Sequence, residues 1–276
     1  MKLFVDTAEL EEIQALYAIG IVDGVTTNPS LIKKAVDRRK KHGDSTKIET
    51  YIKKILKTAK GTPVSLEVTK TEYAGMVDEG VRLYKKFNPV ARNVYVKIPV
   101  NPAMKKNDVT CFDGIRAIKT LAKKNIPVNC TLIFTPEQAL LAAKAGAAFV
   151  SPFLGRENDF IRKKGRWFFK KEDYYPSRGR SKDGKLVTDQ GVSSGANLVN
   201  QCVTILKKYN LKTQVLAASI RSTQDVLDVA LAGSDIATIP YNLFKELLTH
   251  QKTIEGMKTF TKDIVPEYAK LLGVTK

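Results

Sequence analysis

The residues best suited to covalent chemistry lie in Asn93-Val94-Tyr95-Val96-Lys97-Ile98-Pro99, a run of β-branched and aromatic residues closed by a proline. Such a run predicts a strand, with Phe87-Asn88-Pro89 as the turn before it. Successive side chains of a strand point to opposite faces, so Val94, Val96 and Ile98 share one face and Tyr95 and Lys97 the other. In a central strand Lys97 enters the protein interior. A charged amine is costly there, and the neutral form is a nucleophile that can form a Schiff base with a carbonyl. In an edge strand the same lysine faces water. The strand alone is compatible with both placements.

Polar residues elsewhere break the tie. Asp6 shares a face with Phe4, and Thr26 with Asn28. Ser65, Glu67 and Thr69 lie opposite Val64, Leu66 and Val68, Asn129 goes with Thr131, and Ser151 with Phe153. Parallel strands covered on both sides usually read as unbroken apolar runs. A buried polar group left unpaired costs about 1–3 kcal/mol, so this many on one face predict a shared site around Lys97. An imine mechanism needs one base for the hydroxyl proton at the bond that breaks and a second group to move protons through water. Asp6 and Glu67 are the carboxylates on the polar face, Thr131 suits holding the water, and Asn28, Asn129 and Ser151 suit hydrogen-bonding sugar hydroxyls. The amine takes the place of a Lewis acid, so neither metal nor cofactor is expected.

A second signal is Leu216-Ala217-Ala218-Ser219-Ile220-Arg221-Ser222, where a strand runs into a helix. Small residues, a hydroxyl and an arginine before a helix N-terminus suit an anion, and Arg156 beyond the sixth strand is placed to close on it. The competing reading makes Ser222 an N-cap and Arg221 a surface residue.

These groups need a scaffold. Predicted strands at 2–6, 23–28, 64–69, 93–99, 128–133, 149–154, 214–219 and 236–240 alternate with predicted helices, the first capped by Thr7 and the second by Ser30. Two C-terminal helices, 243–250 and 254–272, follow. Eight alternating strands predict an α/β fold, a single (β/α)8 barrel spanning 1–276, with polar strand faces converging at the carboxyl ends. A doubly wound open sheet is the other topology, but the Gly-x-Gly-x-x-Gly fingerprint is missing after the first strand.

The chain has 276 residues, 43% of them hydrophobic, enough for one large core. No apolar run approaches the roughly 20 residues that cross a bilayer, and the N-terminus lacks the form of a signal peptide, so a cytoplasmic protein without membrane contact is expected. Cys111, Cys130 and Cys202 are expected as reduced core thiols. With only His42 and His250, a histidine triad or His-rich metal site is not expected. The net charge of +18 favours anionic partners such as phosphorylated metabolites. Part of it is local: residues 162–185 hold ten Lys or Arg against three acids. The runs Lys33-Lys34 and Arg38-Arg39-Lys40-Lys41 read as solvated helix faces.

Five motifs, in order, carry a resemblance: Met1-Lys2-Leu3-Phe4-Val5-Asp6-Thr7, Gly24-Val25-Thr26-Thr27-Asn28-Pro29-Ser30, Val96-Lys97-Ile98-Pro99, Ser151-Pro152-Phe153-Leu154-Gly155-Arg156 and Ala217-Ala218-Ser219-Ile220-Arg221. The chain resembles the transaldolase family, the group that also contains fructose-6-phosphate aldolase. The resemblance implies a (β/α)8 barrel, a Schiff base at Lys97, Asp6 as acid/base, and Glu67 with Thr131 placing the catalytic water. It further implies that Thr26, Asn28, Asn129, Ser151 and Phe153 surround the dihydroxyacetone unit, that Arg156, Ser219 and Arg221 bind phosphate, and that the chain assembles as a homo-oligomer. Glu67, where the aldolases tend to have Gln, and Phe153, where they tend to have Tyr, favour transfer over release. Residues 157–187, with Trp167-Phe168-Phe169 and Tyr174-Tyr175, are expected as a long inserted loop or lid. Its interleaved basic and aromatic residues also suit stacking on nucleic-acid bases, but one loop of this size is a weak basis for nucleic-acid binding.

Overall fold

In this computed structural model, residues 1–43, 46–105 and 108–273 are described. Residues Met1–Tyr241 form one compact unit and Asn242–Lys276 a second. The first unit opens with β1 (Lys2–Asp6), α1 (Leu10–Ile19), β2 (Gly24–Thr26), α2 (Pro29–Lys41), α3 (Ile48–Thr58) and β3 (Val64–Glu67). It continues with α4 (Tyr73–Ala91), β4 (Val94–Pro99), a 3-10 turn at Val109–Phe112, α5 (Asp113–Lys123), β5 (Val128–Ile133), α6 (Pro136–Ala145), β6 (Phe149–Pro152) and α7 (Leu154–Lys164). A small hairpin follows, β7 (Ser181–Lys182) with β8 (Lys185–Leu186), then α8 (Gly195–Lys208), β9 (Gln214–Ala217), α9 (Thr223–Leu231), β10 (Ile236–Ile239) and the start of α10 (Tyr241–Glu246). The second unit carries the rest of α10, then α11 (Gln251–Lys262) and α12 (Pro266–Leu271).

The strands close in the order β1-β10-β9-β6-β5-β4-β3-β2, and every pair in the barrel is parallel. This is a (β/α)8 barrel; the open-sheet alternative is excluded. Because β4 lies between β3 and β5, it has no free edge, and the placement of Lys97 in water is excluded too. An apolar plug fills the interior below the polar residues. Phe4, Phe149, Leu216, Ala218 and Ile236 are buried together, and Tyr95 stacks on Phe149 with ring centroids 4.6 Å apart. Gly24 makes room for this plug, since a Cβ there would lie 2.6 Å from the Phe4 ring. The plug closes the barrel from below, so polar side chains gather at the carboxyl ends of the strands.

Several local expectations are corrected. Helix α1 starts after Glu9, not Thr7, and the Thr7 hydroxyl instead accepts from Glu9 N and donates to Glu12. Asn28, not Ser30, caps α2, its side chain accepting from Leu31 N. Phe87-Asn88-Pro89 is no turn: α4 runs through it and ends only at Arg92, in the left-handed region. Residues 254–272 are not one helix, because α11 and α12 are separated at Asp263–Val265, ahead of Pro266, which disfavours helical backbone in the residue before it. All three cysteines are free, but Cys111 is only half-buried.

The connection at 157–187 begins as helix rather than loop, with α7 reaching Lys164. Within α7, Arg162 is buried. It lies against the Phe169 and Tyr175 rings and donates to the Asp173 carbonyl. Arg180 covers Trp167, so part of the basic excess packs on aromatic faces.

Candidate active site

Strand register builds the site. Glu67, Lys97 and Asn129 are Cα partners across β3, β4 and β5, and Asp6 partners Thr26 across β1 and β2. Lys97 is 6% exposed. Its Nζ donates to the Thr27 carbonyl at 3.2 Å and lies 3.1 Å from Glu67 Oε2. The Thr26 hydroxyl donates to Asp6 Oδ1 at 2.7 Å. Burial pushes the Asp6 carboxyl above the usual range, against the lowering influence of Lys97, Thr26 and Arg156.

Asp6, Thr26 and Lys97 line one cavity of about 100 Å³ in the barrel mouth. Asp6, Thr26, Asn28 and Lys97 form one part of its wall; Asn129, Ser151, Phe153, Arg156 and Ser219 form another. Ser151 donates to Asn129 Oδ1 at 2.7 Å, and Asn129 donates onward to Ser65 at 3.1 Å, so the amide is held from both ends. Sequence reasoning missed Thr238 of β10, which lines the same cavity with its hydroxyl 2.5 Å from that of Thr26. The signal was one hydroxyl within Ile236-Ala237-Thr238-Ile239.

Other expected members lie elsewhere. Glu67 reaches the site through Lys97 and does not line the cavity. Thr69 has left the barrel face: β3 ends at Glu67, and the Thr69 hydroxyl and N–H bind Glu79 of α4. Thr131 is 1% exposed, its hydroxyl without a hydrogen-bond partner among the described residues, and it too does not line the cavity. The ladder between β5 and β6 shifts register between Cys130 and Ile133, and Leu132 has a φ of 60°, which interrupts the alternation just after Thr131.

The anion loop is divided in the same way. Ser219 lines the cavity in a left-handed conformation, φ 62°, a strained state for a residue other than glycine. Gly155 N donates to the Ser219 carbonyl at 3.1 Å; a Cβ on Gly155 would meet that oxygen at 2.4 Å, so the approach requires glycine. Ser222 is the N-cap of α9 in a capping box with Asp225, and Asp225 also accepts from Arg221 N and Ser222 N. Those backbone donors are therefore occupied. The Arg221 guanidinium is held by both oxygens of Asp159, at 2.7 and 2.8 Å, and is not among the cavity-lining groups. Arg156 lines the cavity with its guanidinium over the Phe153 ring.

Among the described residues no cluster of His, Cys, Asp and Glu could hold a metal ion, and no helix is long and apolar enough to cross a membrane. Fold and site together define a (β/α)8-barrel protein with a buried lysine and carboxylates at its C-terminal mouth. A sequence model of the family described as Transaldolase/Fructose-6-phosphate aldolase matches residues 3–272, and the chain belongs to that family. It is 42% identical over 263 residues to a protein of Thermoplasma acidophilum named "Probable transaldolase", covering 95% of each chain. A protein of the same name from Bacteroides thetaiotaomicron is 41% identical over 274 residues, which is 99% of this chain and 100% of the relative. These similarities make the chain a transaldolase-type aldolase enzyme.

Proposed function

We propose that this enzyme is a transaldolase, moving a dihydroxyacetone unit from sedoheptulose 7-phosphate to glyceraldehyde 3-phosphate and giving erythrose 4-phosphate and fructose 6-phosphate. The observation that carries the reading is the Lys97 amine, buried in the barrel 3.1 Å from Glu67 and facing a cavity that Asp6 also lines. The amine attacks the ketone carbon, and the carbinolamine loses water to give an iminium. Asp6 takes the proton from the hydroxyl next to the bond that breaks. The electron pair of that carbon–carbon bond flows into the iminium, aldehyde leaves, and an enamine stays on Lys97. The enamine then attacks the acceptor aldehyde, Asp6 returns its proton, and water releases the ketose. Glu67, beside the amine, relays the protons of dehydration and hydrolysis with a water held by Thr131. Thr26, Asn28, Asn129 and Ser151 hold the dihydroxyacetone hydroxyls, and Arg156 with Ser219 and Arg221 receives the phosphate.

Phe153 brings no hydroxyl to hold a hydrolytic water, which supports transfer over release as free dihydroxyacetone. Borohydride reduction with fructose 6-phosphate should add a dihydroxyacetone-derived mass to Lys97, with no adduct in Lys97→Met. An adduct elsewhere, or none, overturns the mechanism. Rapid formation of free dihydroxyacetone without an acceptor aldehyde would make the enzyme a fructose-6-phosphate aldolase instead.

A further inference from the structure

A second cavity, of about 460 Å³, lies along α7 and is lined by Phe134, Arg156, Glu157, Phe160, Lys163 and Asp189, with Asp159 also at its edge. It has the volume of a small-molecule site, and only Arg156 is common to it and the lumen cavity. Its acids are unequal. Asp159 is held by Arg221 and Arg162, and Asp189 by Lys164 at 3.0 Å. Glu157 is 1% exposed, and its Oε1 has no hydrogen-bond partner among the described residues. Burial, with the Asp189 charge, pushes the Glu157 carboxyl up to about 7. A buried carboxyl without a donor is unfavourable in a finished fold, and a ligand hydroxyl would relieve it.

The remaining groups define what such a ligand carries. Phe134 and Phe160, the latter 49% exposed, offer apolar faces for C–H groups. With Asp159 and Asp189 taken by other cations, the Arg156 and Lys163 head groups have no carboxylate partner among the described residues and can meet an anion. We propose that the cavity between Phe134 and α7 is a second ligand site, for a small polyhydroxylated phosphate ester. Its hydroxyls bond Glu157, its carbon chain lies on Phe134 and Phe160, and its phosphate meets Lys163 and Arg156. The site rests on the lumen chemistry only through Arg156.

Calorimetric titration with sorbitol 6-phosphate, which has no carbonyl to react with an amine, tests this on the full chain. Wild type should bind two equivalents per chain. Glu157→Leu, which keeps the buried volume apolar, and Phe160→Asp, at an exposed position, should each lose one equivalent or weaken it at least tenfold. One equivalent in wild type that both variants lose would support the second site while counting against sugar-phosphate binding in the lumen. Unchanged stoichiometry and affinity in both variants, or no binding by wild type, overturns the proposal.

Discussion

Arg221 and Asp159 form a two-pronged ion pair, 2.7 and 2.8 Å between guanidinium nitrogens and carboxylate oxygens, joining the loop after β9 to α7. Both side chains are largely buried, so removing either strands a charge. Arg221→Ala and Asp159→Ala should each destabilise the fold by about 3 kcal/mol, seen as a lower urea midpoint. Arg156→Ala breaks no such pair; it should melt like wild type while raising KM for phosphorylated substrates about tenfold. Wild-type stability in Arg221→Ala would make the ion pair incidental, and wild-type KM in the same variant would remove Arg221 from the phosphate site.

Asp6 has a raised pKa because it is buried, and as the base it must be ionised to take a proton. Activity should therefore fall as pH drops through a value above the ordinary aspartate range, and the descending acid limb of kcat should be absent in Asp6→Asn. The same variant should lose about 10²–10⁴-fold in kcat while still trapping ketose on Lys97 under borohydride. Loss of trapping in Asp6→Asn would move Asp6 from bond cleavage to imine formation.

Thr131 offers a clean separation of structure from chemistry. Its hydroxyl makes no hydrogen bond among the described residues, so Thr131→Val removes a buried polar group that was unsatisfied. Stability by chemical denaturation should hold or rise by about 1 kcal/mol. If the hydroxyl holds the water of dehydration and hydrolysis, kcat should drop at least tenfold with KM little changed. Full activity in this variant would remove Thr131 from the mechanism.

The barrel and most of its site were legible because both follow from alternation. Strand and helix signals repeat eight times, and period-two spacing put Asp6, Thr26, Lys97, Asn129 and Ser151 on one face before any coordinates. Legibility failed where that period stops. Thr69 lies past the end of β3, and Thr131 sits beside the register shift in β5, so counting by twos misplaced the first and overstated the second. Caps failed for another reason: Thr7, Asn28 and Ser30 all suit an N-cap, and which one serves depends on where the chain leaves the barrel. The Arg221–Asp159 pair spans 62 positions, and a single sequence carries no trace of it.

Glu157 makes stability depend on pH in a direction opposite to that of an ordinary paired carboxylate. Its folded value of about 7 lies above the ordinary 4.5, so the native state holds this proton more tightly than the unfolded chain does. The contribution is fully present below about pH 4.5, is lost as pH rises to about 7, and stays lost above that. Its size is about 3 kcal/mol. Glu157→Gln cannot ionise and lacks this slope, and comparison with wild type cancels other groups, including Asp6. Urea midpoints should therefore match most closely near pH 4.5, with the variant gaining on wild type up to about pH 7 and holding that lead to pH 8. A constant difference between the two proteins over that range would show that the carboxyl is not held neutral by burial.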